Sequence, residues 1–198
     1  GQIDLSSDDR VSESTTSFQS TSSIWYQVTE NKVYNDSGNA ITTVITKRQL
    51  TGLGSGTIAN IITTDINGND TVSTVTLDRT NKTVLQTVNT PDSDVDSIST
   101  TINGFLTANR TSTNLSYSYT YDGIGRQISQ TDPRTGASIT HYNALAQVDY
   151  VQDAAGKQTS FTYEAATGRR ASVVNALGKA TSYTYNARGQ VLTVSGDA

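Results

Sequence analysis

The sequence holds no cysteine, so neither a disulfide framework nor a thiolate metal site is open to it. Proline occurs twice in 198 residues, as Pro91 and Pro133, and histidine once, as His141. Charge is sparse too, with 16% charged residues and a net charge of −4. Low charge excludes the highly charged recipe for disorder. The negative sign argues against nucleic acid as a partner, because such proteins carry basic patches. No run reaches the ~18 apolar residues of a spanning helix, so no membrane insertion is expected. No segment sustains a helical period either.

Thr, Ser and Asn are abundant instead, and apolar residues make up 34% of the chain. Thr and the β-branched residues suit a pleated, half-exposed surface, while Ser, Asn, Asp and the 15 Gly supply turns. The mixture predicts an all-β protein. Residues 1–22 are rich in Ser, Thr and Asp and read as a flexible lead-in. The first clear strand is Ser23–Val28. It carries the lone Trp25, which reads first as a core anchor and second as a ligand platform. Residues 23–116 read as divergent hairpins. Turn signals fall at Asn35–Asn39, Gly52–Gly56, Asn67–Asp70 and Asn103-Gly104, and the best strands at Thr71–Leu77 and Lys82–Val88. Thr90–Asp96 reads as an acidic loop around Pro91.

Residues 117–198 are more regular. One pattern starts at Tyr121, Tyr142, Tyr163 and Tyr185, at intervals of 21, 21 and 22 residues, and such a period marks a repeat architecture. In its first copy Tyr121-Asp122-Gly123-Ile124-Gly125-Arg126 is followed by Asp132-Pro133-Arg134-Thr135-Gly136. The later copies carry Gly168 with Arg169, and Gly189, at the first turn. Asp153 with Gly156, and Gly178, stand at the second. An Asp or Asn accepts backbone hydrogen bonds two residues on, and glycine tolerates positive φ, so both positions predict hairpin turns. Leu77–Lys82, Asp65–Gly68 and Tyr34–Gly38 read as worn copies. Tyr117, Tyr119 and Tyr121 share one parity, as do Phe161 with Tyr163 and Tyr183 with Tyr185, which places the aromatics of each strand on one face. Val148 with Val151, and Val191 with Val194, recur three apart, and a β-bulge in each return strand would bring both pairs to one face.

Nothing in the pattern specifies a reaction. His141 lacks a nucleophile-elbow motif elsewhere in the chain and reads as structural. Asp92, Asp94 and Asp96, and the Asp65, Asn67, Asn69 series, alternate as calcium-binding oxygens do. They lack the Gly and Glu that a calcium loop of the helix–loop–helix kind requires at its sixth and twelfth positions. A glycosidase carboxylate pair is not needed to explain Asp residues at turns. Arg126, Arg169, Arg170 and Arg188 stand near first turns, where they can stack on a Tyr or pair with a turn Asp. No catalytic, cofactor or metal site is expected. Tyr119, Tyr183 and Trp25 remain as candidate ligand contacts, for glycans above all.

Tyr121-Asp122-x-x-Gly125-Arg126 with Asp132-Pro133 and Gly136 resembles the YD repeat of the RHS family, which includes bacterial RHS toxins, wall-associated proteins, the BC shell components of Tc toxins and the teneurins. The resemblance covers about residues 117–198 and is weak over 33–115. It implies repeated antiparallel β-hairpins in a curved, spiralling sheet, a partial shell or β-solenoid-like array. It also implies a non-catalytic shell wall or scaffold around a toxin or effector domain, in a secreted or cell-surface protein of bacterial type. The alternative is an adhesive module for carbohydrates or proteins. The chain begins at Gly1 and stops after Ser195-Gly196-Asp197, and it reads as a piece of a longer protein. The expected partners are the rest of that protein, or neighbouring copies, through sheet edges.

Overall fold

The computed structural model describes residues 11–34 and 38–196. The fold is all-β. The chain divides into two compact units, Gly1–Ser116 and Tyr117–Ala198.

The first unit holds β1 (Ser12–Thr21), β2 (Ile24–Tyr34), β3 (Ala40–Gln49), β4 (Thr57–Thr64), β5 (Asp70–Asp78), β6 (Thr83–Asn89), β7 (Ser97–Ile102) and β8 (Phe105–Arg110). Each pairs antiparallel with the next in sequence. The second unit repeats that plan in β9 (Ser116–Tyr121), β10 (Gln127–Asp132), β11 (Gly136–Tyr142), β12 (Val148–Gln152), β13 (Gln158–Tyr163), β14 (Arg170–Val174), β15 (Ala180–Tyr185) and β16 (Val191–Gly196). No pairing closes a sheet into a barrel among the described residues. The strands are one layer thick, and the core is correspondingly slight. Val28, 5% exposed, is the one buried hydrophobic side chain among the described residues. What holds each strand is therefore its backbone ladder and the side chains along its two seams.

Two expectations change, and a third goes untested. The lead-in over 1–22 is not loose where it is described, because Ser12–Thr21 pair residue for residue with Val33–Ile24. The hairpin joining them turns through Ser22 and Ser23, with φ of 52° and 66°. Positive φ at both central residues is the mirror-image turn that matches strand twist. It usually announces itself as Asn-Gly, as at Asn103-Gly104, and here two serines adopt it without that signal. Trp25 is not a core anchor: it is 49% exposed on β2, opposite Ser20. The turn of Tyr34–Gly38 lies largely outside the described residues.

Two strands of the second unit, β9 and β15, alternate cleanly. In β9 the tyrosines 117, 119 and 121 are half-buried, and Ser116, Ser118 and Thr120 between them are exposed. In β15, Tyr183 and Tyr185 alternate in the same way with Ser182 and Thr184.

Candidate functional site

The feature that recurs with its chemistry intact is the seam between one hairpin and the next in the second unit. It is built from the turn outward. At Asp122 the side-chain Oδ1 accepts the backbone N–H of Ile124 at 3.0 Å and of Arg126 at 2.9 Å. The Asp122 N–H donates to the Arg126 carbonyl, and the Gly125 N–H donates to the Asp122 carbonyl. Asn143, Asp153, Asn175 and Asn186 repeat all four bonds with their own following residues. So does Asp65 in the first unit. The residue three after each of these carries positive φ, which closes a type I turn into a three-residue hairpin loop. In four of the five turns of the second unit it is Gly, and in the fifth it is Ala146, at φ 64°. Glu164 heads a loop one residue longer, in which Gly168 takes the positive φ.

Each first turn is followed by a bulge. Tyr121 pairs with Gln127 and Thr120 with Ser129, which leaves Ile128 extra on β10. Asp149, Ala171 and Leu192 are the extra residues on β12, β14 and β16. The bulges bring the valines spaced three apart to one face: Val191 pairs with Tyr185 and Val194 with Tyr183. A bulge disrupts the backbone ladder beside it. There the next hairpin intervenes. Tyr142 donates its phenolic O–H to the Gln127 carbonyl at 3.4 Å, Tyr163 to Val148 at 2.6 Å and Tyr185 to Arg170 at 2.8 Å. In all three the acceptor is the residue just before the bulge, fifteen positions upstream.

The residue that closes the first turn covers the same tyrosine. The Arg126 guanidinium lies 4.2 Å from the Tyr142 ring centroid while its Nε donates to Asp122 Oδ2 at 2.7 Å. Arg169 lies 5.6 Å from the Tyr185 ring. Between them Gln147 uses its amide instead. It accepts from Asn143 Nδ2 at 3.1 Å and donates to the Gly168 carbonyl of the following turn at 3.0 Å. Glycine at 189 suits its backbone and the neighbouring arginine. Its φ is 85°, and a Cβ there would stand 2.9 Å from the Arg169 guanidinium. Arg170 reaches backward, 4.7 Å from the Phe161 ring. At the second turn, Asp132 Oδ1 accepts the Arg134 N–H at 2.8 Å, and the Arg134 guanidinium donates to the Tyr117 hydroxyl at 3.0 Å.

The polar groups singled out for chemistry are used in the same way. His141 Nδ1 and Asp149 Oδ1 are 2.6 Å apart, so the bulge residue of β12 clamps the imidazole. The ring also stacks on Tyr150, its partner across the strands, at 4.8 Å. The Asp65 carboxylate faces its own loop, bonded to the Asn67 and Asn69 backbone and to Asn69 Nδ2. Asp96 accepts from Asn89 Nδ2 at 2.8 Å. Hydrogen bonds from the turn backbone hold the Asp65, Asp78 and Asp122 carboxyls below the usual range, led by the N–H of Asn69, Asn81 and Arg126 respectively. No three His, Cys, Asp or Glu gather as metal ligands among the described residues.

The open depressions are shallow and follow the seam. One of about 450 Å³ is lined by Arg126, Ile128, Ile139, His141 and Tyr142 among others, and one of about 320 Å³ lies between the turns of Asp132 and Asp153. Tyr119 on β9 and Tyr183 on β15 stand six strand positions apart in their unit, and Trp25 belongs to the other unit. Reading the sequence alone misses the phenol-to-carbonyl bonds and the Asp149 clamp. The one signal for the former is the fixed distance from each bulge to the next Tyr.

Comparison with known proteins gives the following. No curated protein matches the chain. Among solved structures it is similar to a mutant Tc holotoxin pore of Photorhabdus luminescens, at 12% identity and a TM-score of 0.43, covering 88% of this chain and 11% of that one. It is similar to a TcdB2-TccC3-Cdc42 crystal structure at 12% identity and a TM-score of 0.28, over 88% of this chain and 15% of that one. A porin-like protein of Bacteroides uniformis follows at 14% identity and a TM-score of 0.27, over 91% and 92%. The chain thus spans a small part of the first two structures it resembles. Residues 166–198 match the family described as RHS Repeat.

Proposed function

We propose that the chain is a non-catalytic wall segment of a larger RHS-repeat protein, curving with further hairpins around an enclosed toxin or effector domain. One observation carries the reading: the recurring tyrosines and the polar side chains beside them in the second unit join a turn or a strand to its neighbour. Tyr142, Tyr163 and Tyr185 bond carbonyls, Arg126 and Arg169 cover rings, and His141 is clamped. RHS-repeat proteins are typically secreted or surface-associated, and a wall suits that setting.

The test is proteolysis of the parent protein. An enclosed domain survives digestion within the intact protein and is degraded when expressed without its repeats. Equal sensitivity in both states would overturn the enclosing role. A glycan array with this chain separates the adhesive alternative. Saturable glycan binding, lost in Tyr119→Ala or Tyr183→Ala, would replace the wall by a recognition surface.

A further inference from the structure

Two asparagines of the chain precede a glycine, Asn67 and Asn103, and the fold holds them in opposite ways. Both stand exposed at hairpin tips, Asn67 between β4 and β5 and Asn103 between β7 and β8. The Asn67 N–H donates to Asp65 Oδ1 at 2.9 Å, and the Gly68 N–H donates to the Asp65 carbonyl at 3.0 Å. Asn103 has no such residue heading its loop. That loop is two residues long, since Ile102 pairs with Phe105, and both residues take positive φ, 53° at Asn103 and 87° at Gly104. The Asn103 N–H donates to the Lys82 carbonyl at 3.0 Å. Neither the Asn103 side-chain amide nor the Gly104 N–H has a hydrogen-bond partner among the described residues. A Cβ at Gly104 would meet no atom within 4 Å, so nothing crowds its backbone. Other loop asparagines precede larger residues and are bonded: Asn81 and Asn89 donate to Asp78 and Asp96, and Asn143, Asn175 and Asn186 accept two backbone N–H groups each.

We infer that Asn103 is a site of covalent self-modification, at which the side chain loses ammonia through a succinimide closed with Gly104. The Gly104 nitrogen attacks Asn103 Cγ. The new N–C bond replaces the C–NH2 bond, and the proton of the attacking N–H leaves with the ammonia. Water then opens the imide at one of its two carbonyls, giving aspartate or isoaspartate. Water is the co-reactant, and nothing is oxidised or reduced. Ring closure needs the asparagine backbone to rotate until Cγ meets the next nitrogen. At Asn103 that rotation leaves a left-handed conformation that is unfavourable for an L-residue, and it breaks no bond of the attacking N–H or of the amide. At Asn67 it breaks the bond that occupies the attacking Gly68 nitrogen, and the Asn67 N–H bond beside it. Both products put a carboxylate at a neutral tip. Isoaspartate also routes the main chain through the side-chain carbon, which adds a methylene to a loop whose length sets the β7–β8 register. The change therefore loosens this hairpin irreversibly.

The test incubates the folded chain in mildly alkaline buffer and maps it by peptic digestion in acid, where no further imide forms, and mass spectrometry. Isoaspartyl methyltransferase reports the isomer. Asn103 should convert to a mixture of aspartate and isoaspartate, and Asn67 about tenfold more slowly, the effect of keeping two modest hydrogen bonds. In guanidinium the two sites should convert at like rates, because the dipeptide is the same. Amide exchange across Ile102–Leu106 should quicken as conversion proceeds, and should hold steady through the same incubation in Asn103→Gln. The inference fails if folded Asn103 stays intact while both sites convert in guanidinium, or if folded Asn67 converts as fast as Asn103. Aspartate without isoaspartate would also overturn it, because direct hydrolysis would then replace the imide.

Discussion

Two residues of the second unit show how much each turn depends on a single atom. Ala146 stands where four sister turns place glycine, and its φ of 64° forces the β-carbon toward the following carbonyl. Left-handed backbone costs an L-residue about 1–2 kcal/mol, partly offset by the greater unfolded-state freedom of glycine. Ala146→Gly should therefore raise stability by about 0.5–1 kcal/mol in urea melts. Unchanged or lower stability would show that something beyond φ selects alanine. Asp122 makes the complementary case. Backbone N–H groups and the Arg126 side chain hold its carboxyl below the ordinary value. A depressed folded-state value means that its contribution is complete above the unfolded-state pKa of about 3.9, and is lost as pH falls toward and through the lower folded value. Asn143, Asn175 and Asn186 make the same two backbone bonds with a neutral oxygen. Asp122→Asn should thus keep the hairpin at neutral pH and flatten stability against pH below about 4, where the wild-type declines. An acid profile identical to the wild type would show that this carboxylate does not drive the decline.

At the level of the element, the bulge organises the repeat, and deleting one tests this directly. Without Ala171, Arg170 would adjoin Ser172. The pairs Tyr163–Arg170, Thr162–Ser172 and Phe161–Val173 would then run on as a regular ladder, and the break that leaves the Arg170 carbonyl to Tyr185 would be lost. Deletion of Ala171 should lower stability by about the ~1 kcal/mol of one lost hydrogen bond, while Ala171→Gly, which keeps the residue count, should lower it far less. Equal losses would mean that the side chain, and not the extra residue, matters. The bulges can be inferred from the sequence, because Val148 with Val151 and Val191 with Val194 break a period of two in the same place. The turns are readable for a similar reason, since Asx and Gly act on backbone within four residues of themselves. The β1–β2 hairpin is not, because Ser22 and Ser23 give no chemical hint of positive φ. Neither is the bond from Tyr163 to Val148, which joins residues on different hairpins through a carbonyl that only the folded ladder exposes. Local chemistry shows in sequence, and the seam is non-local.

Across the molecule, stability has to come from neighbours in sequence. Within each unit a strand meets the strands before and after it, and among the described residues a single hydrophobic side chain is buried. Such arrays behave as nearly one-dimensional systems, in which repeat stabilities and nearest-neighbour terms add. A globule unfolds around a shared core, whereas an array frays from its edges. In the second unit the strands of β12–β14 have both seams made, with Tyr163 and Tyr185 donating across them, while β16 has one. Native-state amide exchange should accordingly be slowest in β12–β14 and should quicken toward Val191–Gly196. Mild urea should spread that gradient before the middle strands open. Trp25 reports on the first unit alone, so its emission in the same titration need not share a midpoint with exchange in the second. Uniform protection through β16, lost at one urea concentration together with the Trp25 signal, would show a single cooperative body and would refute the additive picture.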